Sequence, residues 1–268
     1  MLRFICLGSG SNGNSYFLFT DSYGILIDAG IGIRTLKKRF QSAGLELDRI
    51  NAILITHDHA DHIKSVGTLS NDYSLPVYAT ENVHKGIGRN FCVSPKLKPE
   101  LTHYIYKNRS FALNDFQITP FHVPHDSSDN VGYSIKHGET TFCLITDAGH
   151  VTGEFGSFIA ASDYLVLEAN HDENMLRQGP YPPYLKERIM GPYGHLSNKT
   201  AAELLCANLT PRLRHVWLCH LSEENNHPDL ARYTVEACLQ ASGCKRGQGL
   251  RLDVLRRHSS SEIYDLED

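Results

Sequence analysis

The feature that most constrains this chain is the passage from an apolar run into a crowd of ionisable side chains: Ile53-Leu54-Ile55-Thr56-His57-Asp58-His59-Ala60-Asp61-His62. The continuous apolar residues read as a strand buried on both faces. Three histidines and two aspartates in the six positions from His57 to His62 are costly at the end of such a strand unless something pairs with them. Imidazole nitrogen and carboxylate oxygen are donors suited to zinc, manganese or iron(II). His57 and His59 alternate, so on extended backbone they point the same way. Asp61 and His62 come a turn later, where the chain can enter a helix. One short loop can therefore present ligands to two ions from two sides.

The rest of the chain supplies the scaffold. Strands are expected at residues 2–7, 15–20, 24–27, 50–55 and 75–79, with helices at 32–43 and 60–70 and a loop at 91–100. The theme then repeats. Strands at 117–123, 131–136, 141–146, 164–168, 215–218 and 250–256 alternate with helix pieces in 171–190 and helices at 198–208 and 228–240, the former capped by Ser197. The polar tail 258–268 is expected to fray. This order implies an α/β fold: two sheet-plus-helix halves sharing one core, a four-layer αββα sandwich, with residues 1–268 as a single domain.

Composition narrows the setting. No run of 18 apolar residues exists, so no membrane span or membrane partner is expected. The opening Met1-Leu2-Arg3-Phe4-Ile5-Cys6-Leu7 is too short and too soon broken by Gly8 for a secretory signal. The seven cysteines are scattered without a C-x-x-C pair, which reads as reduced thiols of a cytoplasmic protein. The net charge of −4 gives no global signal for nucleic acid, although bound cations and local arginines can dominate the field at a site.

Gly8-Ser9-Gly10-Ser11-Asn12-Gly13 matches G-x-G-x-x-G, but a dinucleotide fingerprint must then open a helix. Here Asn14-Ser15-Tyr16-Phe17-Leu18-Phe19 follows, a strand pattern. The turn joins two strands, or its amides and Asn12 or Asn14 face a substrate anion.

H-x-H-x-D-H after a strand resembles the metallo-β-lactamase superfamily. Further elements of that family occur in order: Asp28 in Ile25-Leu26-Ile27-Asp28-Ala29-Gly30, His125 in Phe121-His122-Val123-Pro124-His125-Asp126, Asp147 in Leu144-Ile145-Thr146-Asp147-Ala148-Gly149, and His220 in Val216-Trp217-Leu218-Cys219-His220-Leu221-Ser222. Leu167-Glu168-Ala169-Asn170-His171-Asp172 and Gly194-His195-Leu196-Ser197-Asn198 resemble segments of its tRNase Z-like phosphodiesterase branch. With the Gly-rich turn, they look most like the YycJ/WalJ-type subfamily.

The resemblance implies two divalent metal ions, zinc or manganese with iron also possible. His57, His59 and His125 would hold one; Asp61, His62 and His220 would hold the other; Asp147 would bridge, and Asp28 would orient a ligand histidine. It implies Asp61, His195 and Glu168 as catalytic residues: a metal-bridged hydroxide attacks phosphorus, and His195, held by Glu168, protonates the leaving alkoxide. The implied function is a phosphodiesterase or exonuclease with DNA or RNA as partner. The same metal motif also serves thioester, lactone or β-lactam hydrolases. Tyr181, Tyr184 and Tyr193 near His195 could stack bases. The short basic groups, Arg188 and Arg212 among them, read chiefly as solvated faces. Oligomeric state is left open.

Overall fold

The computed structural model describes residues 1–241 and 249–266. The chain forms two compact units. Met1–Ser110, Ser127–Val131 and Arg256–Asp268 make the first; Phe111–Asp126 and Gly132–Leu255 make the second.

The first unit opens with an antiparallel meander, β1 (Arg3–Gly8), β2 (Ser15–Phe19) and β3 (Gly24–Ile27). The Gly-rich turn is thus the β1–β2 connection, as its strand-like flank required. Helical crossovers then produce parallel strands. α1 (Ile33–Ser42) leads to β4 (Ala52–Leu54); α2 (Ala60–Ile63) and α3 (Val66–Tyr73) lead to β5 (Val77–Ala79); α4 (Glu81–Arg89) leads to β6 (Thr102–Tyr104). Alternate strand residues Ile5, Leu7, Phe17, Phe19, Leu26, Ile53 and Val77 pack with Leu36, Phe40, Val66, Leu69, Val83 and Ile87 from the helices. The intervening Phe4, Cys6, Tyr16, Leu18, Ile25 and Ile27 are buried too, which is why these strands read as unbroken apolar runs rather than alternating ones.

The second unit has β7 (Phe111–Leu113), β8 (Phe116–His122), β9 (Val131–His137) and β10 (Thr140–Ile145). β9 and β10 form the hairpin that His137-Gly138-Glu139-Thr140 signals, with Gly138 at φ 57 supplying the left-handed turn. α5 (Gly153–Ala160) crosses to β11 (Tyr164–Glu168). α6 (Glu173–Gln178), α7 (Pro183–Met190) and α8 (Asn198–Asn208) precede β12 (His215–Cys219), and α9 (Pro228–Ala241) precedes β13 (Arg251–Val254). β10, β11, β12 and β13 are parallel neighbours. Phe155, Ile159, Leu204, Leu205, Val235 and Leu239 from the helices pack on Cys143, Ile145, Leu165, Leu167, Val216 and Leu218.

The tail then returns to the first unit. β14 (Tyr264–Asp265) pairs antiparallel with β1, and Leu266 N donates to Leu2 O at 2.8 Å. The expectation of a frayed tail is corrected over these residues: the open edge of β1 offers it a ladder. The expected helix 60–70 is two helices, because Ser65 leaves the helical path at φ −105, ψ 1. Both sheets contain seven strands, in the orders β14-β1-β2-β3-β4-β5-β6 and β13-β12-β11-β10-β9-β8-β7. In each, the parallel strands end where chemistry-bearing residues follow, the position at which open α/β sheets bind ligands.

Candidate metal centre

In the first unit, β4 ends and the backbone carries His57 to His62 into α2. His59 stands at the helix N-cap with extended φ −69, ψ 148. The His57 ring lies 4.7 Å from that of His59 and 4.1 Å from that of His62. His62 Nδ1 is 2.7 Å from Asp28 Oδ2. That carboxylate also accepts from Thr56 N at 2.8 Å and Thr56 Oγ1 at 2.9 Å. A His62 proton committed to Asp28 leaves Nε2 as the lone-pair nitrogen, the tautomer a metal requires. Burial pushes the Asp28 carboxyl up, against the His62 charge and the hydrogen bonds from His62 and Thr56.

The local sequence explains the close fit. Ala29 N donates to His62 O, Ser65 N to Ala29 O, and Asn14 N to Asp61 O. A Cβ on Gly30 would collide with the Asp61 carbonyl. Asn14 is buried; its Nδ2 lies 2.9 Å from His62 Nε2 and 3.3 Å from Asp61 Oδ2, while its Oδ1 accepts from Gly10 N. Asn14 thus addresses the proposed ligands themselves rather than a solvent-borne anion. Asp58, whose role spacing did not reveal, accepts from Ser128 N and Oγ and clamps the loop.

In the second unit, Asp147 follows β10, Glu168 ends β11 and His220 follows β12. Asp147 and His220 take left-handed backbone, φ 52 and 53, as does Asp28 at φ 60 in the first unit. For residues other than glycine this conformation is strained, and it turns each side chain off the end of its strand. Asp147 Oδ1 stands 3.7 Å from His125 Nε2, 3.5 Å from His220 Nδ1 and 3.7 Å from His195 Nδ1. His125 Nδ1 donates to Gly194 O at 3.0 Å, which puts the ring's lone pair on Nε2.

Glu168 is the hub. Its Oε1 is 2.8 Å from His195 Nδ1 and 3.1 Å from His220 Nδ1. Its Oε2 accepts from Ala148 N at 2.8 Å and Leu196 N at 3.1 Å. Burial alone would raise this carboxyl, but the His195 charge and the hydrogen bonds from both histidines outweigh it and hold it down at about 2. Ligand atoms of Asp147, Glu168, His195 and His220 all lie within 4.8 Å of one another. His171 is buried beside this group; burial first, and then the His195 charge, bring it down to about 4 against the opposing pull of Glu168.

Clusters of imidazoles beside carboxylates, with the rings of His62, His125, His195 and His220 each oriented through Nδ1, suit a divalent cation by the chemistry of their donors. His57, His59, Asp61 and His62 come together in the first unit; His125, Asp147, Glu168, His195 and His220 come together in the second. Tyr184 and Tyr193 are exposed, and α7 buries no residue. Arg188 is paired with Asp126, and Arg212 with Asp163, so these two basic residues are structural.

Residues 23–220 match the sequence profile of a β-lactamase superfamily domain. The chain belongs to the metallo-β-lactamase superfamily. It is 34% identical over 251 residues to the exodeoxyribonuclease YycJ of Bacillus anthracis, covering 94% of each chain. It is also 34% identical over 233 residues to the exodeoxyribonuclease WalJ of Streptococcus pneumoniae, covering 87% of this chain and 86% of that one. Among solved structures, the metallo-β-lactamase fold protein YhfI from Bacillus subtilis superposes with a TM-score of 0.73 at 16% identity, covering 99% of this chain and 100% of that one. The α/β fold is therefore the metallo-β-lactamase fold. No helix among the described residues is long and apolar enough to cross a membrane.

Proposed function

We propose that this chain is a metal-dependent phosphodiesterase that degrades DNA as an exonuclease. The observation that carries it is the His195–Glu168 pair at 2.8 Å, set beside Asp147 and His220. An alkoxide leaving phosphorus needs a proton, whereas the thiolate leaving a thioester does not. The exodeoxyribonuclease names of the 34%-identical relatives support DNA over RNA.

The two units act as one catalytic domain, a reading supported by the superfamily profile running across both. His57, His59 and His125 would hold one divalent ion and Asp61, His62 and His220 the other, with Asp147 as a ligand shared by both. Zinc or manganese suits these nitrogen and oxygen donors. When bound, the ions supply charge against the phosphate oxygens and lower the pKa of water. Asp28 orients His62. Glu168 fixes the His195 ring through Nδ1, so that Nε2 delivers a proton to the leaving oxygen. The described cysteines form no disulfide, which accords with a cytoplasmic enzyme.

The test is cleavage of end-labelled single- and double-stranded DNA and RNA by chelated protein reconstituted with Mn²⁺ or Zn²⁺. Cleavage should require metal and vanish in His59→Ala. His195→Ala should slow DNA cleavage about 10²–10⁴-fold and affect a bis(p-nitrophenyl) phosphate far less, because p-nitrophenolate leaves without a proton. An equal loss on both substrates removes His195 as the acid. Turnover of thioesters or lactones without DNA cleavage replaces the phosphodiesterase reading.

A further inference from the structure

Phe91 is 95% exposed, the most exposed of the large hydrophobic residues described. It stands in the turn that follows α4, and that turn is firmly built. Asn90 N donates to Gly86 O at 2.9 Å; Asn90 O accepts from Val93 N at 3.2 Å and from Lys96 Nζ at 2.6 Å. Asn90 Oδ1 accepts from Cys92 N at 3.1 Å, and Asn71 Nδ2 donates to Lys96 O at 2.8 Å. Val93, two residues on, is buried in the helix-to-sheet core. The ring is therefore held out in water by an anchored backbone, forgoing the free energy its burial would give. Nothing in the local backbone calls for a phenyl ring at this position.

The same turn is tied to the metal-ligand loop. Asn90 Nδ2 donates to Asp58 O at 3.0 Å, between His57 and His59 in the chain. Lys64, Arg89 and Lys96 surround it as exposed cations, and none has a carboxylate partner among the described residues. Lys96, Lys64 and Asp61 all act electrostatically on Cys92, the residue beside Phe91. An exposed aromatic face beside cations that have no carboxylate partner among the described residues complements a polyanion with exposed bases. A single strand offers both; a duplex hides its base faces in the stack.

We infer that the Phe91 turn is a strand-binding element: a base of single-stranded DNA stacks on the Phe91 ring while Lys64, Arg89 and Lys96 contact the flanking phosphates. This rests on the phosphodiesterase reading for its biological use, and it adds the substrate form, an unpaired strand beside the His57–His62 loop. A second copy of the chain could also cover an exposed phenyl ring, but the three neighbouring exposed cations favour the nucleic acid.

The test uses the full-length, metal-loaded chain and a 16-nucleotide single-stranded thymidine oligomer with phosphorothioate linkages, which resist cleavage. Phe91→Ala should weaken binding about tenfold, with its melting temperature unchanged as a check on folding. Phe91→Trp should retain binding, and its emission should be quenched by the oligomer, above the constant signal of buried Trp217. Lys64→Ala and Arg89→Ala should each reduce the slope of log K against log salt by about 0.7. Unchanged affinity in Phe91→Ala, or an unquenched tryptophan at position 91, overturns the inference. So does a dimer that becomes a monomer in Phe91→Ala while oligomer affinity stays constant; the ring then covers a second copy. Hydrolysis of bis(p-nitrophenyl) phosphate by the unchanged chain separates the two proposals. If it is absent while the tryptophan is quenched, the phosphodiesterase reading falls and the strand-binding element stands.

Discussion

Asp28 and Glu168 are both fully buried carboxylates that orient histidines, yet they differ in charge preference. Asp28 holds one imidazole and the amide and hydroxyl of Thr56, and burial prevails: its carboxyl is pushed up. Glu168 holds two imidazoles and the amides of Ala148 and Leu196, and burial is overridden: its carboxyl is held at about 2. Desolvation is common to both. The second imidazole at Glu168 sets the two apart in direction.

The comparison can be broken most forcefully at Glu168. Glu168→Ala leaves two histidines and two buried amides without their acceptor and should cost about 3–5 kcal/mol, read by denaturant unfolding of the metal-free chain. A loss no larger than that of Asp28→Asn would show that the two carboxylates are equivalent. The next effect belongs to His171, which shares the surroundings of Glu168. Its folded pKa, about 4, lies below its ordinary 6.5, so the unfolded chain takes the proton first. Its contribution is complete above about 6.5 and is lost as pH falls toward 4, roughly 3 kcal/mol in all. Stability curves across that window should be flatter in His171→Gln. The smallest effect is expected at Asp28. Asp28→Asn keeps the shape of the group and one of its two acceptor oxygens, and should cost about 1–2 kcal/mol. The orienting role would still appear as metal affinity weakened about 10–100-fold, measured by competition with a chelator.

Much of this was legible before any coordinates. The loop from His57 to His62, the aspartates at 28 and 147, and His220 each follow an apolar strand, and that adjacency is visible in one dimension. The helix Asn198–Asn208 with its Ser197 cap and the strand Tyr164–Glu168 stand as expected. Helices α4 and α5 were not foreseen, because Gly86, Gly88, Gly153 and Gly156 depress helix propensity. Gly86 is there for a reason outside its own helix: a Cβ would strike the Asp58 carboxylate. Asp-Ala-Gly occurs at 28–30 and again at 147–149, and its meaning is likewise tertiary. Each aspartate is left-handed, and each glycine lies against foreign backbone, Asp61 in one case and Pro192 and Tyr193 in the other. Asn14 reads as an ordinary turn former; only the folded chain puts its amide against His62.

The pairing of β14 with β1 also sets an order of events during synthesis. β1 is made long before residues 264–266, and the edge they cover stays unpaired until they follow. Over that interval the edge can recruit any other extended chain. A polypeptide cut before residue 264 keeps the hazard permanently, and it would be aggregation-prone even though every residue proposed to hold metal is already present.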